Sequence, residues 1–394
     1  MNILFISDHF LPKIAGGEFV VHYWAEGLVQ RGHRVVVPQL YSIRNEKQYF
    51  KVNYEILYFP HIPFMYGLSR LVQMIRIAYG LKLELIHANF LYPAGHIGVL
   101  LQRMFDIPCL VSGHGADILT FPLLNYGNTM DPHVERLTKL VIQEAAGLTY
   151  SCSSVRERYV RYGAQPNKLY QLLNGSAMSD TRPVMGPNIR KQHGIGSDEI
   201  IFLCVSRNSR VKGLHLVVKA VEMLDSLGKP FRVIFIGPGT KELMSSIKEK
   251  AILKKVVLIG EVSLMGEDNS VQIPSPVIAK YLFESDVFIA PALSGTFELS
   301  TADAMAAALP VIVSSNVGAS DVIINSLNGY VFENNNATSL AEAMKRCLDE
   351  PQLLRGMGQR NKVLSGQFGW ANIVQRLENI YDNVLRNWNE GQVR

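Results

Sequence analysis

Short runs of apolar and β-branched residues alternate along the chain with longer segments whose apolar residues recur every three or four positions. In the first half this pattern predicts strands at residues 2–7, 34–38, 54–59, 85–88, 109–112, 148–151 and 168–173, and helices at residues 18–30, 68–81 and 154–162. Strands that alternate with helices form parallel sheets with right-handed crossovers. The first half is therefore predicted to be a doubly wound α/β domain.

The alternation is interrupted at residues 181–198, a polar stretch rich in Pro and Gly that predicts a linker. It resumes with predicted strands at residues 199–205, 232–236, 256–259, 286–291 and 311–313 and predicted helices near 214–227, 275–284 and 303–309. We expect an N-terminal domain over residues 1–180, a second domain over 199–368, and a ligand-binding cleft between the two. Residues 369–394 have helical apolar spacing and are predicted to form a terminal helix that packs back on the first domain.

Composition narrows the class of protein. The chain has 394 residues, a formal net charge of +5 and 48% hydrophobic residues, which suits two buried cores and anionic ligands without demanding nucleic acid. The four cysteines are scattered and none has CxxC spacing, so neither a metal site nor a disulfide framework is indicated. The N-terminal segment lacks a basic n-region, and no apolar run approaches the roughly 18 residues of a transmembrane helix. A cytoplasmic protein is the expectation.

Residues 286–313, DVFIAPALSGTFELSTADAMAAALPVIV, carry the most informative pattern. An apolar strand leads through a Gly/Ser/Thr loop into an Ala-rich helix, with Ser300 and Thr301 at the end of the loop. A loop that enters a helix presents unpaired N–H groups and the positive end of the helix dipole, and this arrangement suits a phosphate. An ordinary strand–helix–strand crossover with a well-capped helix would produce the same pattern, so both interpretations stay open at this point.

Two other loops have features of phosphate sites. Gly16 and Gly17 lie between the first strand and the first helix, where the backbone can approach a phosphate closely, although a plain turn would also use them. Arg207 and Lys212 lie within six residues in SRNSRVKG, directly after a predicted strand. Two cations at such a place suit a diphosphate. A solvated basic loop is the alternative, and Arg210 between them is predicted to be exposed.

Histidine and carboxylate side chains mark further candidates. His114 follows a predicted strand in SGHGAD and could bond a ligand hydroxyl, with Asp117 either orienting it or capping the next helix; a turn histidine is the alternative. Asp303 lies three residues after Ser300 in a capping-box pattern, so it could serve only the helix backbone. Glu298 has no such local partner and is the stronger candidate for a ligand-binding carboxylate.

These segments together resemble the retaining glycosyltransferases of family GT4, which have the GT-B fold. The resemblance extends over nearly the whole chain and is carried by PKIAGG, LELIHAN, SGHGAD, LLNGSAMSDTRP, SRNSRVKG, IGPG, SDVFIAPAL and DAMAAALPVIVSSNVGASDVI. Several of these patterns are common individually, but their order and spacing make the match specific. The implied fold is two Rossmann-like domains with a cleft between them.

The resemblance implies a nucleotide-diphosphate-sugar donor, a UDP-sugar or a GDP-sugar, bound mainly by the second domain. The diphosphate would meet Arg207, Lys212 and the helix start at Ser300 and Thr301. Neither metal nor another cofactor is implied, because positive side chains and the helix dipole take the place of a metal.

The resemblance also assigns the groups around the sugar and the ribose. The family's histidine near the donor sugar falls on His114, Gly16 and Gly17 would close over the phosphates, and the ribose-binding carboxylate falls on Asp303. One position departs from the family. The first glutamate of its Glu-x7-Glu motif contacts the donor sugar, and Gly295 occupies that position here. We therefore predict that Glu298, three residues along, takes over the contact with the sugar.

The leading hypothesis is a retaining, metal-independent hexosyltransferase of polysaccharide biosynthesis that acts on a hydroxyl of a glycan, lipid-linked or small-molecule acceptor. Gly295 supports an alternative, a non-catalytic sugar-nucleotide-binding or regulatory partner protein. A sugar-nucleotide epimerase would need a further set of carboxylates that the sequence does not supply. The basic residues of the segment 66–82 could contact anionic lipid as a peripheral membrane surface, although a solvated helix face explains them as well.

Overall fold

The computed structural model describes residues 1–7, 10, 16–41, 51–60, 66–178, 188–264 and 273–392. They form two compact units, and the chain crosses between these units twice. The first unit contains Met1–Leu173 and Trp370–Arg394, and the second contains Asn174–Gly369. Among the described residues, no helix is long and apolar enough to cross a membrane.

The first unit is built on a seven-stranded parallel sheet. Its strands are β1 (Asn2–Ser7), β2 (Arg34–Tyr41), β3 (Glu55–Pro60), β4 (Leu85–Asn89), β5 (Cys109–Ser112), β6 (Gly147–Tyr150) and β7 (Leu169–Gln171). The strand order is β3-β2-β1-β4-β5-β6-β7, so the direction of winding reverses between β1 and β4. The central strands β4 and β5 are buried, since every residue of both is inaccessible to solvent, whereas the edge strand β7 is only partly buried. Ligands of open α/β sheets bind at such a reversal, beyond the carboxyl ends of the strands.

Helices cover this sheet, and one of them comes from the C-terminal end of the chain. They are α1 (Gly16–Gln30), α2 (Tyr66–Leu81), α3 (His96–Phe105), α4 (Pro132–Glu144), α5 (Ser153–Arg161) and, after the second unit, α13 (Trp370–Gln392). The C-terminal helix α13 packs against α1, where Glu378 pairs with Arg31 and accepts a hydrogen bond from His33. It also reaches the sheet, because the Tyr381 hydroxyl lies 2.8 Å from Nδ1 of the buried His87.

The second unit repeats the architecture with six parallel strands. They are β8 (Ile200–Val205), β9 (Phe231–Ile236), β10 (Val256–Gly260), β11 (Val287–Ala290), β12 (Val311–Ser314) and β13 (Gly329–Phe332), in the order β10-β9-β8-β11-β12-β13. The winding reverses between β8 and β11, which pair directly. The helices are α6 (Ile189–His193), α7 (Leu214–Asp225), α8 (Lys250–Lys255), α9 (Pro276–Glu284), α10 (Leu299–Ala306), α11 (Ala337–Asp349) and α12 (Pro351–Ser365).

The boundary between the units differs from the predicted linker at residues 181–198. The second unit begins at Asn174, and residues 188–198 are folded into it, while 179–187 lie outside the described residues. The short helix α6 buries Ile189, and Arg190 pairs with Asp286 at 2.8 Å and donates to two backbone carbonyls. These anchors were not predicted from the polar composition of this stretch, because one buried isoleucine and one partly buried arginine produce no apolar period.

Candidate functional site

In the second unit, the loop after β8 is fixed against the loop after β11. Gly213 has φ of 68°, a conformation that L side chains rarely adopt, and a Cβ there would overlap the carbonyl of Pro291. The Leu293 N–H donates to the Val211 carbonyl at 2.7 Å. The Lys-Gly dipeptide of the motif therefore allows the two loops to approach closely, and it brings Lys212 to the point where the winding of the sheet reverses.

The other end of this loop is tied to the neighbouring strand. The Asn208 N–H donates to the Pro238 carbonyl at 2.7 Å, and its side-chain amide donates to the Gly239 carbonyl. Arg207 is exposed, and its guanidinium makes no hydrogen bond or ion pair within the described part of the chain. Arg210 is exposed as predicted. The loop thus presents two exposed arginines and one lysine at the carboxyl end of the sheet.

Lys212 forms an ion pair with Glu298, which lies 86 residues further along the chain. Both side chains are mostly buried, with relative exposures of 24% and 16%. Glu298 is the residue that precedes α10, and its carboxylate does not bond the helix backbone. The carboxylate is therefore directed to the lysine of the β8 loop and not to a capping role.

The carboxylate of Glu298 lies beside Gly295. A Cβ built on Gly295 would lie 3.6 Å from Glu298 Oε1, which is ordinary van der Waals contact. The backbone of Gly295 is outside the left-handed region, so this position does not require glycine for its conformation. A Cβ is compatible with the space at position 295, and the Glu298 carboxylate already lies next to it.

Helix α10 begins at Leu299, four residues before the predicted start at 303. Ser300 and Thr301 therefore lie in its first turn and not in the preceding loop. The predicted capping box of Ser300 and Asp303 is wrong, because Glu298 occupies the capping position and Asp303 lies inside the helix. The backbone N–H groups of Leu299 and Ser300 have no hydrogen-bond acceptor among the described residues. The Thr301 hydroxyl is buried and also has no partner there.

Asp303 is 4% exposed and accepts a hydrogen bond from the Ser176 hydroxyl, with 2.5 Å between Oγ and Oδ1. Burial raises the pKa of the Asp303 carboxyl from 3.8 to about 7, against the smaller opposite effect of the Ser176 hydrogen bond. With a pKa of about 7, this carboxyl is present in both its protonated and its ionised form near neutral pH.

Sequence reasoning did not identify Ser176 or Asn174 as functional residues. The Asn174 side-chain amide donates to the Phe297 carbonyl at 2.6 Å, and the Ser176 N–H donates to the Phe368 carbonyl at 2.8 Å. The rings of Phe297 and Phe368 also pack, with centroids 5.1 Å apart. The Asn-Gly-Ser segment is visible in the sequence, but nothing local connects it with a loop more than 120 positions away.

In the first unit, the glycine pair opens helix α1. Gly16 has open space where a Cβ would lie, whereas a Cβ on Gly17 would approach Phe90 Cζ to 2.8 Å and His114 Cβ to 3.4 Å. Residues 11–15, which precede the pair in the motif, lie outside the described residues. Gly17 therefore permits close packing of α1 against the ends of β4 and β5.

His114 lies at the end of β5 and contacts the end of β4. Its Nε2 is 3.2 Å from Oδ1 of Asn89, a buried residue whose Nδ2 has no hydrogen-bond partner within the described residues. Burial lowers the pKa of the His114 imidazole to about 4, so the ring is neutral at pH 7. The structure thus brings together His114, Asn89 and Gly17 at the reversal of the first sheet.

Asp117 holds the His114 loop through its backbone. Its carboxylate accepts hydrogen bonds from the N–H groups of His114, Gly115 and Leu91. Burial raises the pKa of this carboxyl to about 6. Of the two roles predicted for Asp117, neither the orientation of the imidazole nor the capping of a helix describes it; it fixes the turn that carries the histidine.

The surface of α2 has two different faces. Met74, Ile77 and Ala78 are buried against the first unit, whereas Arg76 and Lys82 are exposed. The side chain of Arg70 lies outside the described residues. In the described ranges, no three His, Cys, Asp or Glu side chains are placed to hold a metal ion.

Two family profiles match the chain, one in each half. The profile described as Glycosyltransferase Family 4 matches residues 14–176, and the one described as Glycosyl transferases group 1 matches residues 186–363. A curated relative, N-acetyl-alpha-D-glucosaminyl L-malate synthase of Bacillus anthracis, is 24% identical, and the alignment covers 97% of each chain.

Solved structures with the same architecture align along almost the whole chain. Sucrose-phosphate synthase from Thermosynechococcus elongatus has a TM-score of 0.81 and 18% identity, covering 97% of this chain and 98% of that one. The Anabaena protein HepE, solved in complex with UDP-glucose, has a TM-score of 0.73 and 17% identity, covering 96% and 98%. These likenesses, with the two parallel Rossmann-like sheets, confirm the predicted GT-B fold. The chain belongs to the GT4-type glycosyltransferases.

Proposed function

We propose that this protein is a retaining glycosyltransferase that moves a sugar from a UDP-sugar or GDP-sugar to a hydroxyl of a glycan, lipid-linked or small-molecule acceptor. The observation that carries the proposal is the cluster at the reversal of the second sheet. Arg207, Lys212, Glu298 and the start of α10 lie there on two loops that are bonded to each other. HepE, a structural neighbour, is solved with UDP-glucose, which supports a nucleotide sugar as the donor.

The cluster suits a diphosphate. The Arg207 guanidinium is exposed and unengaged within the described residues, and the N–H groups of Leu299 and Ser300 lack acceptors there. Lys212 adds a second cation, and the positive end of the α10 dipole adds a partial charge. As the bond between sugar and phosphate breaks, negative charge grows on the leaving diphosphate, and these groups would stabilise it without a metal ion.

Glu298 is proposed to contact the donor sugar. Its carboxylate lies next to Gly295, the position at which the family has a sugar-binding glutamate. In the absence of donor, Glu298 is paired with Lys212. When a diphosphate binds, Lys212 gains a second anionic partner, and the carboxylate becomes available for a sugar hydroxyl while it stays close to the lysine.

Asp303 and the first unit complete the proposal. Oδ1 of Asp303 accepts a hydrogen bond from the Ser176 hydroxyl. Its other carboxylate oxygen would accept hydrogen bonds from the ribose hydroxyls. His114 would lie near the transferred sugar, and Gly16 and Gly17 would close over the phosphates. The acceptor hydroxyl would attack the face that the diphosphate leaves, so the anomeric configuration is retained, and no protein nucleophile is required.

A non-catalytic sugar-nucleotide-binding protein is the second candidate, and Gly295 is the observation that favours it. A protein that binds only the nucleotide needs Arg207 and Lys212 but has no use for a carboxylate beside the sugar. The placement of Glu298 next to position 295 therefore favours a site that holds the sugar, and donor turnover distinguishes an enzyme from a protein that binds the donor without transfer.

The proposal is tested first by nucleotide binding and donor turnover. UDP and GDP are titrated calorimetrically in EDTA, and release of nucleotide from UDP-sugars and GDP-sugars is measured with and without acceptors. We expect one nucleotide to bind in the chelator and its sugar to be turned over, with NMR of the product showing the anomeric configuration of the donor. Binding without any turnover would indicate the non-catalytic protein, and loss of binding in EDTA would refute metal independence.

A swap tests the role of Glu298. Gly295→Glu restores the family's carboxylate, and the backbone and contacts at position 295 accommodate a Cβ. Glu298→Gly removes the carboxylate at a capping position that tolerates glycine. We expect Glu298→Gly alone to lose turnover and the double variant Gly295→Glu/Glu298→Gly to regain much of it. A double variant as inactive as Glu298→Gly would show that the two carboxylates are not equivalent.

A further inference from the structure

Phe90, the residue that follows β4, has a backbone conformation that suits glycine. Its φ is 74° and its ψ is 143°, a region that residues with a Cβ rarely adopt. The conformation is fixed on both sides, because the Phe90 N–H donates to the Ser112 carbonyl at 2.8 Å and its carbonyl accepts from the Gly95 N–H at 2.9 Å. Strained backbone of this kind concentrates at functional sites, where the surrounding structure enforces it.

The ring of Phe90 lies between two of the candidate site residues. Its centroid is 4.8 Å from that of the His114 imidazole, at an interplanar angle of 57°. Its Cζ leaves no room for a Cβ on Gly17, since the two atoms would be 2.8 Å apart. Neighbouring Asn89 contacts Nε2 of the same imidazole, and the Trp24 ring lies 5.7 Å from it. Consecutive residues at the end of β4 thus contact the His114 ring, Asn89 at Nε2 and Phe90 through its own ring.

We propose that Phe90 is a positioning residue for His114: its strained backbone directs the ring into the gap above Gly17, where it fixes the imidazole and the start of α1 for the transferred sugar. This inference rests on the proposed glycosyl transfer. The backbone strain at position 90 favours glycine, and the Phe90 side chain is only half-buried. Retention of a phenyl ring there is explained when the ring itself serves the site.

Three variants separate the ring from the strain. Phe90→Ala removes the ring and keeps the strained backbone, Phe90→Gly removes both, and Phe90→Leu keeps apolar volume without the aromatic face. We expect kcat for donor turnover to fall about 10- to 100-fold in the Ala and Gly variants, because displacement of a catalytic group by about 1 Å has effects of that size. Phe90→Leu should recover part of the rate. Affinity for bare UDP or GDP should fall much less than kcat, since Arg207, Lys212 and the start of α10 are in the second unit.

Stability distinguishes positioning from folding. Phe90→Gly should melt at a higher temperature than Phe90→Ala and yet be as slow. Asp106→Gly is the matched control, since Asp106 also has a left-handed backbone, with φ of 57°, in the same unit but at the end of α3. It should gain stability without a change in kcat. If Phe90→Gly turns over donor at the parental rate, or if kcat follows melting temperature across the Phe90 series, Phe90 is only structural and the proposal fails.

A thermodynamic cycle tests the contact without any substrate. Gly17→Ala should destabilise the parent, because its Cβ meets the Phe90 ring, and should cost little in the Phe90→Gly background. Equal costs in both backgrounds would overturn the packing on which the inference rests. If the parent binds no nucleotide and turns over no donor, the proposed function fails. In that case the melting temperature of Phe90→Gly decides on the inference. A value below that of the parent would reject it, since the ring would then stabilise the fold.

Discussion

Replacement of Asp303 by Asn should make the protein more stable at alkaline pH and leave its stability almost unchanged at pH 4. Asp303 is 4% exposed inside α10, and the Ser176 hydroxyl is its hydrogen-bond donor. Burial opposes ionisation of this carboxyl and raises its pKa from 3.8 to about 7. An asparagine of nearly the same shape keeps an oxygen that can accept from Ser176, and it carries no charge at any pH.

The sign and the size follow from proton linkage. In the unfolded chain the carboxyl loses its proton near pH 3.8, whereas in the folded protein it holds the proton to about pH 7. Between these values the folded state binds more protons, so the contribution of Asp303 to stability falls as pH rises and reaches its lowest level above pH 7. The interval is about 3 pH units at 1.36 kcal/mol each, which gives an upper bound of roughly 4 kcal/mol.

The assay is urea unfolding of parent and Asp303→Asn at pH 4.5, 6 and 8, followed by far-ultraviolet circular dichroism. The relevant quantity is the difference in unfolding free energy between variant and parent for the transition of the second unit. Other groups, among them Asp117 with its pKa raised to about 6, titrate in both proteins and cancel in that difference. We expect the difference to grow with pH by one to a few kcal/mol. A difference that is constant from pH 4.5 to 8 would refute the reasoning, because the carboxyl would then ionise as easily in the folded protein as in the unfolded chain.

The remaining predictions concern the phosphate loop and the carboxylate beside it. Lys212→Ala and Arg207→Ala should each weaken UDP or GDP binding by about 1.5–3 kcal/mol, the usual range for a charge-assisted hydrogen bond, as measured by calorimetry; parental affinity in both would place the phosphate site elsewhere. Glu298→Gln should lower turnover far more than affinity for the bare nucleotide, since the sugar is absent from that ligand and Lys212 loses a competing anion; parental turnover would make Glu298 a bystander. Gly213→Ala should lower stability by more than about 1 kcal/mol and weaken nucleotide binding together, because a Cβ at φ of 68° would overlap the Pro291 carbonyl; an unchanged melting temperature would contradict that packing.

The central strands of the sheets were predictable because they are buried on both faces. Short apolar runs such as those of β5 and β11 occur in parallel sheets covered by helices, and these residues are buried in the structure. The start of α10 was not predictable in the same way. Ser300 and Asp303 have the spacing of a capping box, but the buried Phe297 and the contact of Glu298 with Lys212 set the helix start earlier.

The site was predictable as a set of loops but not as a set of contacts. Arg207, Lys212 and Glu298 follow strands that parallel topology places side by side, so their proximity follows from the strand order. The bond between Ser176 and Asp303 depends on where the chain enters the second unit, and no sequence pattern specifies that position. The same holds for Phe90, whose strained backbone has no sequence marker, because phenylalanine is ordinary at the end of an apolar strand.

The carboxylate at Glu298 bears on whether loss of the family's first glutamate means loss of activity. A glutamate at position 295 would project from the loop, whereas Glu298 projects from the start of α10, yet its Oε1 lies 3.6 Å from the place where a Cβ of residue 295 would be. The carboxylate of Glu298 therefore lies beside position 295 although it is attached to the backbone three residues along. Lys212, a proposed ligand of the diphosphate, pairs with this carboxylate. A carboxylate that is mostly buried and paired in this way costs desolvation free energy, which nucleotide binding alone does not explain, because the negative charge opposes that of the phosphates. Contact with a sugar hydroxyl would explain it, and the proposed function therefore treats Gly295 as a relocation of the sugar-binding carboxylate and not as its loss.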